Sequence, residues 1–273
     1  MLAQELIDII LDHLHSDRES LKECAFVSRS FLPTCRLHLF ATLQISNSNI
    51  DKVSKLLIPP PSDAFTKEKE EDCRFRARII RLLNKHTTDL TFVAPWDWDF
   101  NPTHCNFPKF AHLRRIVFEG DDPDYHMLPM HWWDSKRFRS VESIEVNFVY
   151  MDKARLVLNA LCNLPSTVKN ISFTATRTAR HLKFPSLDDV FETRTDTYHF
   201  EGTLGLNLCP GISYQGLLLA ILRHKDLNVL KFGLKCINFN LTCRADIHPF
   251  ALLVNECKNT LEYLNINYST VCT

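Results

Sequence analysis

Leu113-Arg-Arg-Ile116-Val-Phe118, Val141-Glu-Ser-Ile144-Glu-Val146 and Val168-Lys-Asn-Ile171-Ser-Phe173 repeat one arrangement: apolar, two residues, apolar, one residue, apolar. Leu227-x-x-Leu230-x-Phe232 and Leu261-x-x-Leu264-x-Ile266 continue it. The last two apolar positions of each copy alternate and so share one face of a β-strand, with the first as its lead-in. The copies begin 28, 27, 59 and 34 residues apart. The gap of 59 is close to two periods and contains Leu204, Leu206 and Leu208, which alternate as a missing strand should. Leu90 and Phe92 fit an earlier copy. Helix-like segments lie between the strands: Ala154 to Leu161, Tyr214 to Leu222 and Pro249 to Cys257.

One strand and one helix at a period in the high twenties resembles divergent leucine-rich repeats. The resemblance implies an irregular α/β solenoid over 86–273, an arc of about six units with a parallel sheet. The asparagine or cysteine that follows the strand in that family is largely absent here, with Asn147 and Cys236 the nearest echoes. A plain α/β sheet domain is the alternative. In either case each unit exposes an apolar face that only its neighbours cover.

Working outward toward the N-terminus, Leu6, Ile10 and Leu14 recur every four residues and share a helix face, with Glu5, Asp8 and Asp12 in solvent positions. His15 to Arg18 break the period. Ser20 stands three residues before Glu23 in a capping-box arrangement, and a second helix runs through Leu21, Cys24, Ala25 and Val27. Ser30 is a candidate cap for a third helix with Pro33 in its first turn and Leu37, Leu39 and Phe40 as apolar surface. A unit of some forty residues buries too little to stand alone comfortably, so part of its apolar surface should pack against something else.

These residues resemble the F-box family, whose motif runs Leu-Pro-x-Glu-Leu, spaced aliphatics, a leucine, and Val-Cys-Lys-x-Trp. Leu2, Glu5 and Leu6 fall on the opening pentad, Ile10 and Leu14 on the aliphatics, Leu21 on the second-helix leucine, and Val27, Ser28, Arg29 and Phe31 on the closing run. Ala3 stands in place of the proline and Phe31 in place of the tryptophan. The likeness covers residues 2–41; the other reading of the segment is an unrelated helical hairpin. Between it and the repeats, 42–85 reads as a transition. Leu43-Gln44-Ile45 alternates like a short strand, Asp51 to Leu57 suits a helix, and Pro59 to Asp63 is a loop. Lys67 to Glu71 is a solvated charge run leading into a helix over Cys73 to Leu83, with Phe75, Ile79, Leu82 and Leu83 at helical spacing.

Lysine plus arginine equal aspartate plus glutamate at 32 each, so no global attraction to nucleic acid or anionic membrane is expected. Ten cysteines without paired spacings or a secretory signal read as reduced core thiols of a cytoplasmic or nuclear protein. No apolar stretch approaches a membrane span. The chain begins almost on the F-box pentad and stops soon after a strand, as a truncated product would.

Loops that follow adjacent repeat strands share one rim, where insertions build a surface. Ala94 to Phe100, with Trp96 and Trp98, and Glu119 to Trp133, with Tyr125, Trp132 and Trp133, are two such insertions holding all four tryptophans. Aromatics beside carboxylates fit a target-binding patch for a basic ligand; the plainer reading packs Trp132 or Trp133 with Phe138 on the sheet. His104 beside Cys105 lacks a glycine turn for an oxyanion, and Cys236, Cys243, His248 and Cys257 lack a Cys-x-x-Cys knuckle. Six glycines form no phosphate loop. No enzyme activity and no cofactor are expected; a hydrolase or metal enzyme hidden in an α/β domain is the reading that metal analysis would expose.

What the F-box resemblance implies is a substrate-recognition subunit of an SCF-type cullin-RING ubiquitin ligase. It would dock on the Skp adaptor, and through it on a cullin, by Leu2, Ala3, Leu6, Ile10, Leu14, Val27 and Phe31, some of which must instead be core. The repeats would hold an unknown protein substrate. The alternative is a repeat-domain interaction scaffold outside such ligases, for which Ala3 is the hint.

Overall fold

The computed structural model describes residues 4–46, 48–49, 52–53, 56, 67–93, 110–120, 140–148, 167–175, 200–208, 215–223, 233–241, 244 and 247–268. In chain order the elements are α1 (Gln4–His13), α2 (Arg18–Val27), α3 (Leu32–Ala41), β1 (Thr42–Ile45), α4 (Lys67–His86), β2 (Asp89–Val93), β3 (Arg115–Gly120), β4 (Ser143–Phe148), β5 (Asn170–Ala175), β6 (Gly202–Leu208), α5 (Gln215–Arg223), β7 (Leu234–Leu241), α6 (Ile247–Glu256) and β8 (Tyr263–Tyr268). The strands follow one another in a single sheet in sequence order. Every pairing from β3 to β8 is parallel. Parallel neighbours need a crossover of about a dozen residues or more, which the repeat period supplies. The chain is therefore α/β with a parallel sheet. No helix among the described residues is long and apolar enough to cross a membrane.

The chain divides into two compact units, Met1–Thr91 with Asp99–Arg114, and Phe92–Trp98 with Arg115–Thr273. In the second unit the repeated pattern becomes a register. Ile116, Ile144, Ile171, Leu204, Ile237 and Leu264 stand opposite one another in one row, and Phe118, Val146, Phe173, Leu206, Phe239 and Ile266 in the next. From β3 to β7 both rows are buried. Phe92 and Phe118 stack at 5.3 Å, and Phe250 of α6 stacks on Phe239 of β7 at 4.2 Å. Leu218 and Ile221 of α5 are likewise buried.

Leu227, Leu230 and Phe232 fall outside the described residues, and the strand described in this part of the chain is β7, built on Leu234-x-x-Ile237-x-Phe239. Both windows satisfy the same apolar pattern; pairing to β6 and β8 selects the second. Gly233 just before it passes so close to β6's lead-in that a Cβ there would lie 1.2 Å from the Phe200 carbonyl oxygen. In the β6–β7 pairing the register shifts between Gly202 and Thr203, whose partners are Leu234 and Cys236, so the extra residue of the irregularity is Lys235 on β7.

In the first unit, α4 begins at Lys67, so the charge run forms its first turn rather than a lead-in. It packs against α3. Thr87 is buried and donates its hydroxyl to the Phe40 carbonyl at 3.0 Å, while Thr88 N–H donates to the Ala41 carbonyl at 2.8 Å. The stretch read as a transition is thus tied to the three helices. Within the segment Asp51 to Leu57, expected to be helical, Lys52, Val53 and Leu56 are described and helical; Pro59 to Asp63 and Ala154 to Leu161 lie outside the described residues.

Candidate docking face on the N-terminal helices

The first three helices enclose a small core of Ile7, Leu11, Leu21 and Cys35, with Leu14, Cys24, Ala25, Phe31 and Leu39 packed around it. Ile7, Leu11 and Leu14 are four and three residues apart and make the inner stripe of α1. The sequence Leu6-Ile7-Asp8-Ile9-Ile10-Leu11 is apolar at every position but Asp8, so α1 has a second apolar stripe, Leu6, Ile9 and Ile10. That stripe is outside the core.

Polar groups lock α1 to α3 and thereby decide which stripe faces inward. The Thr34 hydroxyl donates to Asp8 Oδ1, and Gln4 Nε2 donates to the same oxygen at 2.9 Å and to the Ser30 carbonyl at 3.1 Å. His38 Nε2 lies 2.7 Å from Asp12 Oδ1. Asp8 and Asp12, expected simply in solvent positions, are therefore the hydrogen-bonded seam between the two helices. Donation from Thr34 first, and from Gln4 second, holds the Asp8 carboxyl below its usual range.

The caps differ from the expected ones. Asp17, rather than Ser20, caps α2: its carboxylate accepts the Ser20 N–H at 3.1 Å and the Ser20 hydroxyl at 2.6 Å, which lowers its pKa. A carboxylate at the positive end of a helix is favoured further by the peptide dipoles. Ser30 does not cap α3, whose N-cap is Phe31 without a side-chain bond; Ser30 pairs with the Ser28 hydroxyl at 2.9 Å. Pro33 does sit in the first turn. Cys35 is buried, and burial pushes its thiol pKa up, with Cys24 adding to the effect.

The remaining apolar side chains point out. Leu6, Ile9 and Ile10 on α1, Phe26 and Val27 at the end of α2, and Leu37 on α3 are 46% to 88% exposed. Of the residues carried over from the motif, Leu6, Ile10 and Val27 belong to this exposed set, whereas Leu14 and Phe31 are half-buried against the core and support it. Leu2 and Ala3 lie outside the described residues. Ile9, Phe26 and Leu37 were not among the motif residues. Ile9 had a readable signal in the all-apolar run of α1, and Leu37 in the apolar surface expected of the third helix; Phe26 had none, because its neighbours Ala25 and Val27 are apolar as well.

Trp96, Trp98, Tyr125, Trp132 and Trp133, with His104, Cys105 and His126, lie outside the described residues. Asn147 sits in β4 and Cys236 in β7, both half-buried; His248 is exposed on α6 and Cys257 is buried after it. Among the described residues no three histidine, cysteine, aspartate or glutamate side chains are grouped to hold a metal ion. Comparison with family models, with curated proteins and with solved structures finds no match to this chain.

Proposed function

We propose that the chain is the substrate-recognition subunit of an SCF-type cullin-RING ubiquitin ligase. In this reading α1 to α3 dock on the Skp adaptor, and the strand array holds a protein target together with the sequence segments containing Trp96, Trp98, Tyr125, Trp132 and Trp133. The observation that carries the reading is the doubly apolar α1. One stripe closes the unit's own core while Leu6, Ile9 and Ile10 stay exposed, as do Phe26 and Val27 on α2 and Leu37 on α3. Covering the remaining half of each such aliphatic side chain gains about 1 kcal/mol, enough in sum for a specific interface. The chain itself contributes no catalytic group; it raises the effective concentration of target near a ubiquitin-charged enzyme.

The test is co-purification of the Skp adaptor and a cullin with the full chain, against a Leu6→Asp, Ile10→Asp double variant. Both side chains are about half exposed, so the variant keeps its helical circular dichroism and loses the adaptor. Undiminished capture by the double variant removes the interface assignment; no cullin with the wild type favours a scaffold outside such ligases.

A further inference from the structure

Beyond Asp72 the helix α4 carries no acidic residue, although Arg74, Arg76, Arg78, Arg81, Lys85 and His86 all lie there. Arg74, Arg78, Arg81 and Lys85 are four, three and four residues apart, so they form one stripe along the helix, and all four are exposed. The stripe is about 16 Å long. Arg76, off the stripe, meets Asp72 at 2.6 Å. Arg78, Arg81 and Lys85 have no carboxylate three or four residues away within the helix and no ion pair among the described residues.

Folding alone does not account for this stripe. Like charges at these intervals repel one another and weaken a helix. The helix dipole favours cations only near the last turn, which holds Lys85 and His86; Arg74, Arg78 and Arg81 lie before it. The positive field also widens at that end. Thr88 N–H donates to the Ala41 carbonyl at 2.8 Å, and the Thr88 carbonyl accepts the Arg114 N–H at 2.7 Å, which brings the end of α3 and the residues before β3 to the end of α4. Arg36 and His112 enter with them. Burial first, and then Lys85, Arg36 and His112, lowers the His86 pKa. All of these residues belong to the first unit.

We propose that the α4 stripe docks an acidic helix of a partner protein, with aspartate or glutamate at i, i+4, i+7 and i+11. Charge complementarity fixes the sign, and the interval fixes the shape, because cations on a helical repeat are matched in register by carboxylates on the same repeat. Three of the four cations are arginine, whose planar fork takes a carboxylate through two hydrogen bonds. A bilayer fits less well: Phe75, 60% exposed, is the one large apolar side chain that α4 exposes among the described residues, too little for insertion. Nucleic acid also fits less well, since the formal net charge of the chain is zero and the stripe offers few cations to phosphates. The proposal does not depend on the ubiquitin-ligase reading.

The probe is a fluorescent helical peptide of alanine and glutamine carrying glutamate at i, i+4, i+7 and i+11, titrated into the full chain at low salt. A control peptide of the same composition spreads its glutamates around the helix. The expected result is saturable binding of the first peptide about fivefold tighter than the control, the size of two further exposed ion pairs, with the difference shrinking at high salt. Arg78→Gln with Arg81→Gln weakens binding by a similar factor. Arg78→Glu with Arg81→Glu turns the preference to a peptide with lysine at the same positions. That variant places glutamate four residues from Arg74 and from Lys85, so it melts no lower than wild type. Absence of binding, equal affinity for the two glutamate peptides, tighter binding of a short single-stranded DNA than of the acidic helix, or a lower melting temperature in the charge-reversed variant would each overturn the proposal.

Discussion

Asp8 decides more than the solvent position expected from the sequence implies. Its carboxylate takes hydrogen bonds from Thr34 and Gln4, so its folded pKa lies below the ordinary 3.8. A depressed pKa contributes stability that is present above the unfolded value and is lost as pH falls through the folded one. Thr34→Val is therefore expected to melt earlier than wild type at neutral pH, and the gap should narrow as pH drops below 3.8; thermal melts across that range measure it. Adjacent residues on α1 should differ sharply. Leu11 is wholly inside the small core, so Leu11→Ala should cost about 2–5 kcal/mol. Ile10, exposed, should lose within about 0.5 kcal/mol on truncation to alanine, as denaturant titration of both variants would record. Which of two neighbouring isoleucine and leucine rows is core was not legible from periodicity, since a helix apolar on both sides satisfies either choice. The hydrogen bond that Asp8 accepts from Thr34 and the contact of Asp12 with His38 select it.

At the scale of elements, the strands were legible because their apolar alternation recurs with nearly constant spacing. Leu113, Val141 and Val168 each open a copy whose two later apolar residues are buried as the alternation requires. The exception is instructive. The strand paired with β6 and β8 is Leu234-x-x-Ile237-x-Phe239, which carries the same local pattern as Leu227-x-x-Leu230-x-Phe232, a window outside the described residues. The glycines mark where neighbouring backbones approach. A Cβ at Gly202 would lie 1.8 Å from the Lys169 carbonyl oxygen, and at Gly233 the conflict is closer still. Gly202→Ala and Gly233→Ala are expected to lower stability by about 1–3 kcal/mol or more, because backbone has to move. Gly205→Ala instead meets the Ser172 side chain at 3.2 Å and gains strand propensity, so its change should stay within about 1 kcal/mol. Chemical denaturation of the three variants separates these outcomes.

Among the described residues, each strand from β4 to β7 is paired on both sides, whereas β8 is paired on one. Stability in such an array is close to a sum of nearest-neighbour terms. Native-state hydrogen exchange should therefore find the amides of β8 less protected than those of β5 and β6, reporting local opening at the end of the stack. Equal protection throughout would mean that the array opens as one unit. The chain's own periodicities suffice to establish an α/β protein with short amphipathic helices followed by repeated strands, because helix and strand each impose a fixed angular interval on apolar residues. They do not establish which apolar stripe is covered or where a repeat gains a residue. Burial of Ile7 rather than Ile10, the shift at Gly202, and the half-exposed Leu264 and Ile266 all depend on residues distant in the chain. Local pattern sets the faces an element can offer; only packing against its neighbours chooses which of them meets protein and which meets water.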